Sequence, residues 1–281
     1  MAAQRQFRTF RAYACAVIAA IDVGNTKIAL GVIESGDVTA AHRASTRGML
    51  TPHDAAQTLS DLLERERASL ADLSEVWLAS VVPSATEAIS ELCRGHGVAL
   101  TVADSTNVPM ATRVKHPEAV GHDRLVDSFA ATLLFGPPLI VVDLGTATTF
   151  NAVNAESEFL GGAIAPGLGL GLDALAEHTA KLPRVPVVKP DKAIGTDTVG
   201  AIMSGALIGY RGLVRAVIDS MSTEMTAEGN APPKVILTGG LATSDWAETI
   251  PGVDAIEPLL TLRGLALLKR ELMALPKAAR A

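Results

Sequence analysis

Val17-Ile18-Ala19-Ala20-Ile21-Asp22-Val23-Gly24-Asn25-Thr26-Lys27-Ile28-Ala29-Leu30-Gly31-Val32-Ile33 is the stretch that decides how this chain folds. Two apolar runs of strand-forming composition flank a polar knot, DVGNTK. A plain hairpin needs only turn residues such as Asn-Gly or Asp-Gly between its strands. Here an aspartate closes the first run, and a Gly, an Asn, a Thr and a Lys follow it. The arrangement returns at Ile140-Val141-Val142-Asp143-Leu144-Gly145-Thr146-Ala147-Thr148-Thr149-Phe150-Asn151-Ala152-Val153, with Asp143, Gly145 and Thr146 at the turn. One such knot is explained as a turn. Two ask for a ligand.

A glycine-rich turn exposes backbone N–H groups and admits a phosphate closely, because no Cβ intervenes. Thr adds a hydroxyl and Lys27 a mobile positive charge. An aspartate in the same turn repels phosphate unless it manages a cation that bridges to the phosphate oxygens. Two facing turns of this kind clamp a polyphosphate and its metal from both sides. No GxxxxGK[ST] occurs, so the chain is not a P-loop protein. Either turn alone reads equally well as an ordinary loop; the pair, each between buried strands, favours phosphate. A third element, Lys234 through Ala242, is a buried strand ending in Thr238-Gly239-Gly240, a turn that lets a base or ribose approach the backbone.

Around these turns the chain alternates. Strands are expected at 16–23, 27–33 and 37–44, then a helix from Pro52 to about Arg67 with Ala55, Leu59, Leu62 and Leu63 on one face. A strand at Val76–Val82, a helix at Ser84–Arg94 and a strand at Val98–Val102 follow. A helix from Gly121 to Leu134 stops at Gly136-Pro137-Pro138. The pattern then restarts with strands at 139–143, 147–153 and 159–164. Next come a helix toward His178, a Pro-rich loop at Leu182–Pro190 and a long helix near Thr198–Met225. Strand Val235–Leu237 and a helix after Pro258 close the chain. The order of hairpin, strand, helix, strand occurs twice, which reads as a structural duplication. Each half is an α/β unit with a mixed sheet, and a crevice between two such units is a usual ligand site. The expected divisions are an extension at 1–15, a first domain at 16–115 and a second at 116–281.

Composition narrows the function. The chain has 281 residues, 48% hydrophobic and 19% charged, with a formal net charge of −6. Nucleic acid and anionic membranes need a basic footprint, so neither is expected as a partner. Of the two cysteines, neither has CxxC spacing, and both read as buried thiols of a cytoplasmic protein. Arg5, Arg8 and Arg11 before an apolar run resemble a signal peptide. Cleavage there would remove the strand that supports DVGNT, however, and no run is expected to reach the roughly 18 residues of a membrane span.

Further pieces occur in order: Gly121-His122-Asp123-Arg124, Gly161-Gly162-Ala163-Ile164-Ala165-Pro166-Gly167, Thr179-Ala180-Lys181-Leu182-Pro183 and Gly195-Thr196-Asp197-Thr198. Together with the two turns and the Gly-Gly turn, they resemble the type III pantothenate kinase family of the acetate/sugar kinase–Hsp70–actin superfamily. The resemblance spans roughly residues 17–268. It implies two duplicated actin/ribonuclease H-like domains with an interdomain cleft, and ATP-dependent phosphorylation of pantothenate, the first step of coenzyme A biosynthesis. It further implies that Asp22, Val23, Gly24, Asn25, Thr26, Lys27, Ile28 and Ala29 form the first ATP-phosphate loop, and that Thr146 touches ATP. Asp143 would bind a monovalent cation. Gly121, His122, Asp123, Arg124 and Thr198 would meet pantothenate, with Asp123 as general base. The family resemblance also implies a homodimer that needs Mg²⁺ and K⁺ or NH₄⁺.

The residues themselves agree. An alcohol attacking a γ-phosphate needs an acceptor for its proton, and an ionised Asp serves. Arg124 pairs naturally with the carboxylate of an acidic substrate. Alone, GHDRLVD reads as a helix start, with Asp123 favouring the helix dipole. His122 stands where the family commonly has a small residue, and Val114 where many members place a tyrosine near the pantothenate pocket. Leu168–Leu175 is expected to be helix-packing surface, and Trp77 and Trp246 core or rim. Other readings stay open: a kinase for a sugar or another small acid, or a non-catalytic dimeric relative. The second predicts damaged acids, and Asp22, Asp123 and Asp143 are all present.

Overall fold

The computed structural model describes residues 16–227 and 231–274. The expected extension at 1–15 lies outside the described residues. Two five-stranded mixed sheets form the frame. The first contains β1 (Val17–Val23), β2 (Lys27–Val32), β3 (His42–Ser45), β4 (Leu73–Ser80) and β5 (Ala99–Val102), in the order β3-β2-β1-β4-β5. The second contains β6 (Leu139–Leu144), β7 (Ala147–Val153), β8 (Phe159–Pro166), β9 (Lys234–Thr238) and β10 (Ala255–Ile256), in the order β8-β7-β6-β9-β10. In each, the first strand pairs antiparallel with its hairpin partner and parallel with the fourth strand. The duplication is therefore real in topology, strand for strand.

Helices α1 (Pro52–Arg65) and α2 (Pro83–His96) cover the outer face of the first sheet, and α4 (Leu168–Glu177) and α5 (Thr198–Thr226) that of the second. Helices α3 (His122–Phe135) and α6 (Leu260–Ala274) follow the last strand of each unit and pack on one another between the sheets. Both faces of β1 are thus covered, which is why it reads as a near-continuous apolar run. Ile21 and Val23 face the α1/α2 core, and Ala20 faces the shared core of α3 and α6. On β6, Val141 faces the shared core, while Val142 and Leu144 face α5.

Helix α6 comes last in the chain yet packs on β1, β2 and β4 of the first sheet. It buries Leu260, Leu262, Leu265, Leu267 and Leu268, at about 1.5–3 kcal/mol for each fully buried side chain. Its crossing with α3 is close: a Cβ on Gly264 would stand 2.6 Å from Val126 Cγ1 and 3.0 Å from the Val126 carbonyl oxygen.

Three expectations are corrected. The third strand is shorter and later than 37–44, because Glu34 and Asp37 close a tight turn first and only His42–Ser45 reaches β2. The strand expected at Val76–Val82 runs Leu73–Ser80 and yields to α2, which Pro83 opens. By length and composition, α5, with 29 residues, is long and apolar enough to cross a membrane, contrary to the expectation of no such run. Leu207, Tyr210, Val214 and Ile218 of α5 are nevertheless buried against the second sheet. The two-residue β10 had no signal in the sequence.

Candidate active site

Side chains alternate along a strand, so Asp22 shares the face of Ala20, and Asp143 that of Val141. Both acids therefore point from strand ends toward the layer held by α3 and α6. There they line a crevice of about 460 Å³, together with Asp123, Thr26, Thr146 and Gly239. A crevice beyond the carboxyl ends of parallel strands is the usual ligand position in α/β folds.

The two knots close similarly. The Gly24 amide donates to the Lys27 carbonyl at 2.9 Å, and the Gly145 amide to the Ala147 carbonyl at 3.2 Å. They also meet: the hydroxyls of Thr26 and Thr146 are hydrogen-bonded across the crevice. Val23 and Ile28 are fully buried behind the loop and do not line the crevice. The Gly167 amide binds the Thr146 carbonyl at 3.0 Å and starts α4, whose Gly169 and Leu170 line the crevice. The stretch expected to be packing surface thus also contributes to the site.

Thr238, Gly239 and Gly240 line the same crevice. Gly239 has φ +93°, and a Cβ there would stand 2.1 Å from Asp143 Oδ1 and 2.7 Å from the Leu144 amide nitrogen. Only glycine lets this turn lie against the acid.

Asp123 enters from the first turn of α3. Its Oδ1 accepts the Arg124 amide at 2.8 Å. Arg124 is held by the buried Asn151, whose Oδ1 accepts from Arg124 Nε at 2.7 Å. Its guanidinium also stands 5.6 Å from the centre of the Phe159 ring. Gly121, His122 and Arg124 adjoin the crevice through Asp123 and do not line it. His122 Nδ1 is buried without a hydrogen-bond partner among the described residues. Thr198 is exposed at the start of α5, outside the crevice lining of the single chain.

The electrostatics set this site apart. Burial, then the charges of Asp123 and Asp143, push the Asp22 carboxyl up to about 8, against some relief from Arg43. Burial and Asp123 push Asp143 up to about 7. Burial also raises Asp123, opposed by its bond from the Arg124 amide and by the Arg124 charge. A fourth acid, Asp127, was not foreseen. It is buried one turn along α3, accepts a hydrogen bond from Thr261 of α6 at 2.7 Å, and is raised by burial and by Asp143. Its signal was the i, i+4 spacing from Asp123, which places both on one helix face.

Such a cluster favours a cation. Among the described residues no group of three or more His, Cys, Asp or Glu forms a metal cage.

Comparison with known proteins decides the family. The type III pantothenate kinase family model matches residues 18–220. The chain belongs to the type III pantothenate kinase family. A type III pantothenate kinase of Rhodospirillum centenum is 40% identical over 256 residues, covering 90% of this chain and 97% of that protein. One from Moorella thermoacetica is 39% identical over 252 residues, covering 89% and 97%. In fold, the structure resembles an archaeal actin homolog with a TM-score of 0.51 at 12% identity, over 91% of this chain and 100% of that one. The expected pair of actin-like mixed sheets is thereby borne out.

Proposed function

We propose that this member of the family transfers the γ-phosphoryl group of ATP to the primary hydroxyl of pantothenate, giving 4'-phosphopantothenate and ADP at the start of coenzyme A synthesis. The observation that carries the reading is geometric. Asp22 and Asp143 end equivalent strands of two duplicated units, and Asp123 stands in the same crevice. We take residues 16–115 and 116–281 as the two domains that flank it.

In this reading Gly24 through Ala29 and Thr146 hold the phosphates, and Gly239 and Gly240 accept the nucleoside. Mg²⁺ would sit beside Asp22, where it neutralises phosphate oxygens. A monovalent cation, K⁺ or NH₄⁺, would sit beside Asp143. Asp123 takes the hydroxyl proton as the pantothenate oxygen bonds to phosphorus and the bond to the ADP oxygen breaks. Its raised carboxyl suits it, because a base works best with a pKa near the operating pH. Arg124, fixed by Asn151, would pair with the pantothenate carboxylate. Val114, where many family members carry a tyrosine, packs on the shared core and does not line the crevice.

A homodimer formed through the second unit completes the proposal. The exposed Val199, Ile208 and Leu170 of α5 and α4 would be covered, and Thr198 would face a partner's substrate site. A coupled ADP-release assay, with pantothenate against a panel of sugars and with or without K⁺, tests the activity. Turnover of a sugar and none of pantothenate would overturn it.

A further inference from the structure

Several arginines elsewhere on this surface are ion-paired, Arg113 with Glu158, Arg184 with Asp173 and Glu177, Arg215 with Asp219, Arg263 with Asp37 and Glu257, while Arg65, Arg67 and Arg94 stand exposed away from the crevice. Arg43 and Arg47 differ. Both are exposed and both line the crevice. Arg43 makes one long hydrogen bond, from Nη2 to the Pro258 carbonyl at 3.4 Å. The Arg47 guanidinium has no ion pair or hydrogen bond among the described residues. Two unpaired guanidiniums therefore open into a crevice that contains three raised carboxyls.

Strand register fixes where they stand. Asp22 is opposite Ala29 in the β1–β2 pair, and Ala29 is opposite Arg43 in the β2–β3 pair. Residues in register point to one face. Asp22, Ala29 and Arg43 thus form a row across the sheet, and the middle position ends in a single methyl group, leaving Arg43 room to reach inward. That the positive charge of Arg43 partly offsets the rise of the Asp22 carboxyl agrees with this placement. Lys27 and Arg47 continue the same face of β2 and of the segment after β3. All three cations belong to the first unit's lip. Among the residues lining the second unit's turns, Asp143 through Ala147 and Thr238 through Leu241, there is no Lys or Arg.

We propose that Arg43 and Arg47 form a guanidinium clamp for the terminal phosphate of the nucleotide, so that the site distinguishes a nucleoside triphosphate from a diphosphate. This rests on the reading that the crevice holds Mg-ATP with its nucleoside at Gly239 and Gly240. A chain of phosphates running from that turn toward Thr26 brings its far end, the γ-phosphate, to the arginine lip. Guanidinium suits the task, since its planar fork donates two parallel bonds to phosphate oxygens where an ammonium offers a point charge.

The test is calorimetric binding, with Mg²⁺ present, of the β,γ-imido analogue of ATP and of ADP to the native chain and to Arg43→Ala, Arg47→Ala and Arg43→Lys. Loss of a hydrogen bond to a charged group predicts that each alanine variant loses roughly 10–100-fold in affinity for the analogue. ADP binding should stay at the native level, and Arg43→Lys should fall between. Both positions are exposed, and equal thermal unfolding confirms that the variants are folded; if one is not, the other carries the measurement. Equal losses for the analogue and ADP, or no loss, would overturn the clamp while leaving the kinase reading intact. Failure of the native chain to bind either nucleotide would overturn that reading and the clamp with it.

Discussion

The turn after β1 and the turn after β6 occupy equivalent places in duplicated sheets, yet their surroundings differ. Asp22 looks across Ala29 to Arg43, with Lys27 beside it. Asp143 stands in register with Thr149 on one side and Thr238 on the other, and Gly239 lies against it. The helices that follow the sheets diverge likewise: α3 opens with Asp123 in its first turn, whereas α6 has no acid there. Duplication therefore sets where the carboxylates stand, and the neighbouring strand decides what each can hold. One half is equipped for charge, and the other for close approach of a flat group.

The strongest way to break this contrast is to remove the acid that has no counterpart. Asp123→Asn preserves shape and loses basicity, so phosphoryl transfer should fall by roughly 10²–10⁴, with nucleotide binding retained by calorimetry. Asp22→Asn should instead weaken Mg-nucleotide binding and raise the Mg²⁺ concentration needed for turnover. Near-native turnover of Asp123→Asn would show that another group takes the proton.

The second turn is tested through its cation. If Asp143 holds K⁺ beside the phosphates, exchange of K⁺ for Na⁺ should depress the native rate. Asp143→Ala should lose most activity together with the difference between the two salts. Equal native rates in K⁺ and Na⁺ would remove the monovalent site from the scheme.

A smaller effect separates two adjacent glycines. Gly239 has positive φ and a Cβ there would strike Asp143, whereas a Cβ on Gly240 meets nothing within 4 Å. Gly239→Ala should cost about 1–3 kcal/mol, the usual range for a strained backbone position, and Gly240→Ala little, as read by urea unfolding. Similar losses would mean that the turn relaxes away from Asp143.

Much of this was legible in the chain. The two Asp-Gly-Thr turns were visible because both flanking strands are buried on both faces and the knots interrupt apolar runs. Asp22 and Asp143 were found for that reason, whereas Asp123 came from the family resemblance of Gly121 through Arg124; all three share one crevice. What failed to show was long-range. The return of α6 to the first sheet leaves only an ordinary apolar stripe in the sequence. Asp127 hid inside a helix motif whose partner, Thr261, lies in that returning helix. Arg43 and Arg47 carry no signal of their own in the sequence; strand register places Arg43 in the row of Asp22, and Arg47 follows β3 onto the same lip. β10 is two residues long, too short for any period to appear.

The last prediction concerns stability against pH, where the acids of the crevice oppose those of the surface. Asp22 and Asp143 are raised to about 8 and about 7 in the folded chain, while unfolded aspartates titrate near roughly 3.9. Between those limits the folded state binds more protons than the unfolded one, so stability must fall as pH rises toward 8. Asp54, Asp72 and Glu158 work in the opposite sense, because hydrogen bonds to their carboxylates lower them. Their contribution is lost only in acid, as pH falls through their folded values, and leaves the neutral window to the crevice. The metal-free chain should therefore melt at a higher temperature near pH 5 than near pH 8. Mg²⁺ with an ATP analogue should flatten that slope by replacing protons among the carboxylates. Asp22→Asn, which fixes one site in an uncharged form, should flatten it without any ligand. A melting temperature that rose from pH 5 to pH 8 in the absence of metal would mean that these acids are already ionised and neutralised in the empty crevice, and that the lip of Lys27, Arg43 and Arg47 reaches further across it than the rows of the sheet suggest.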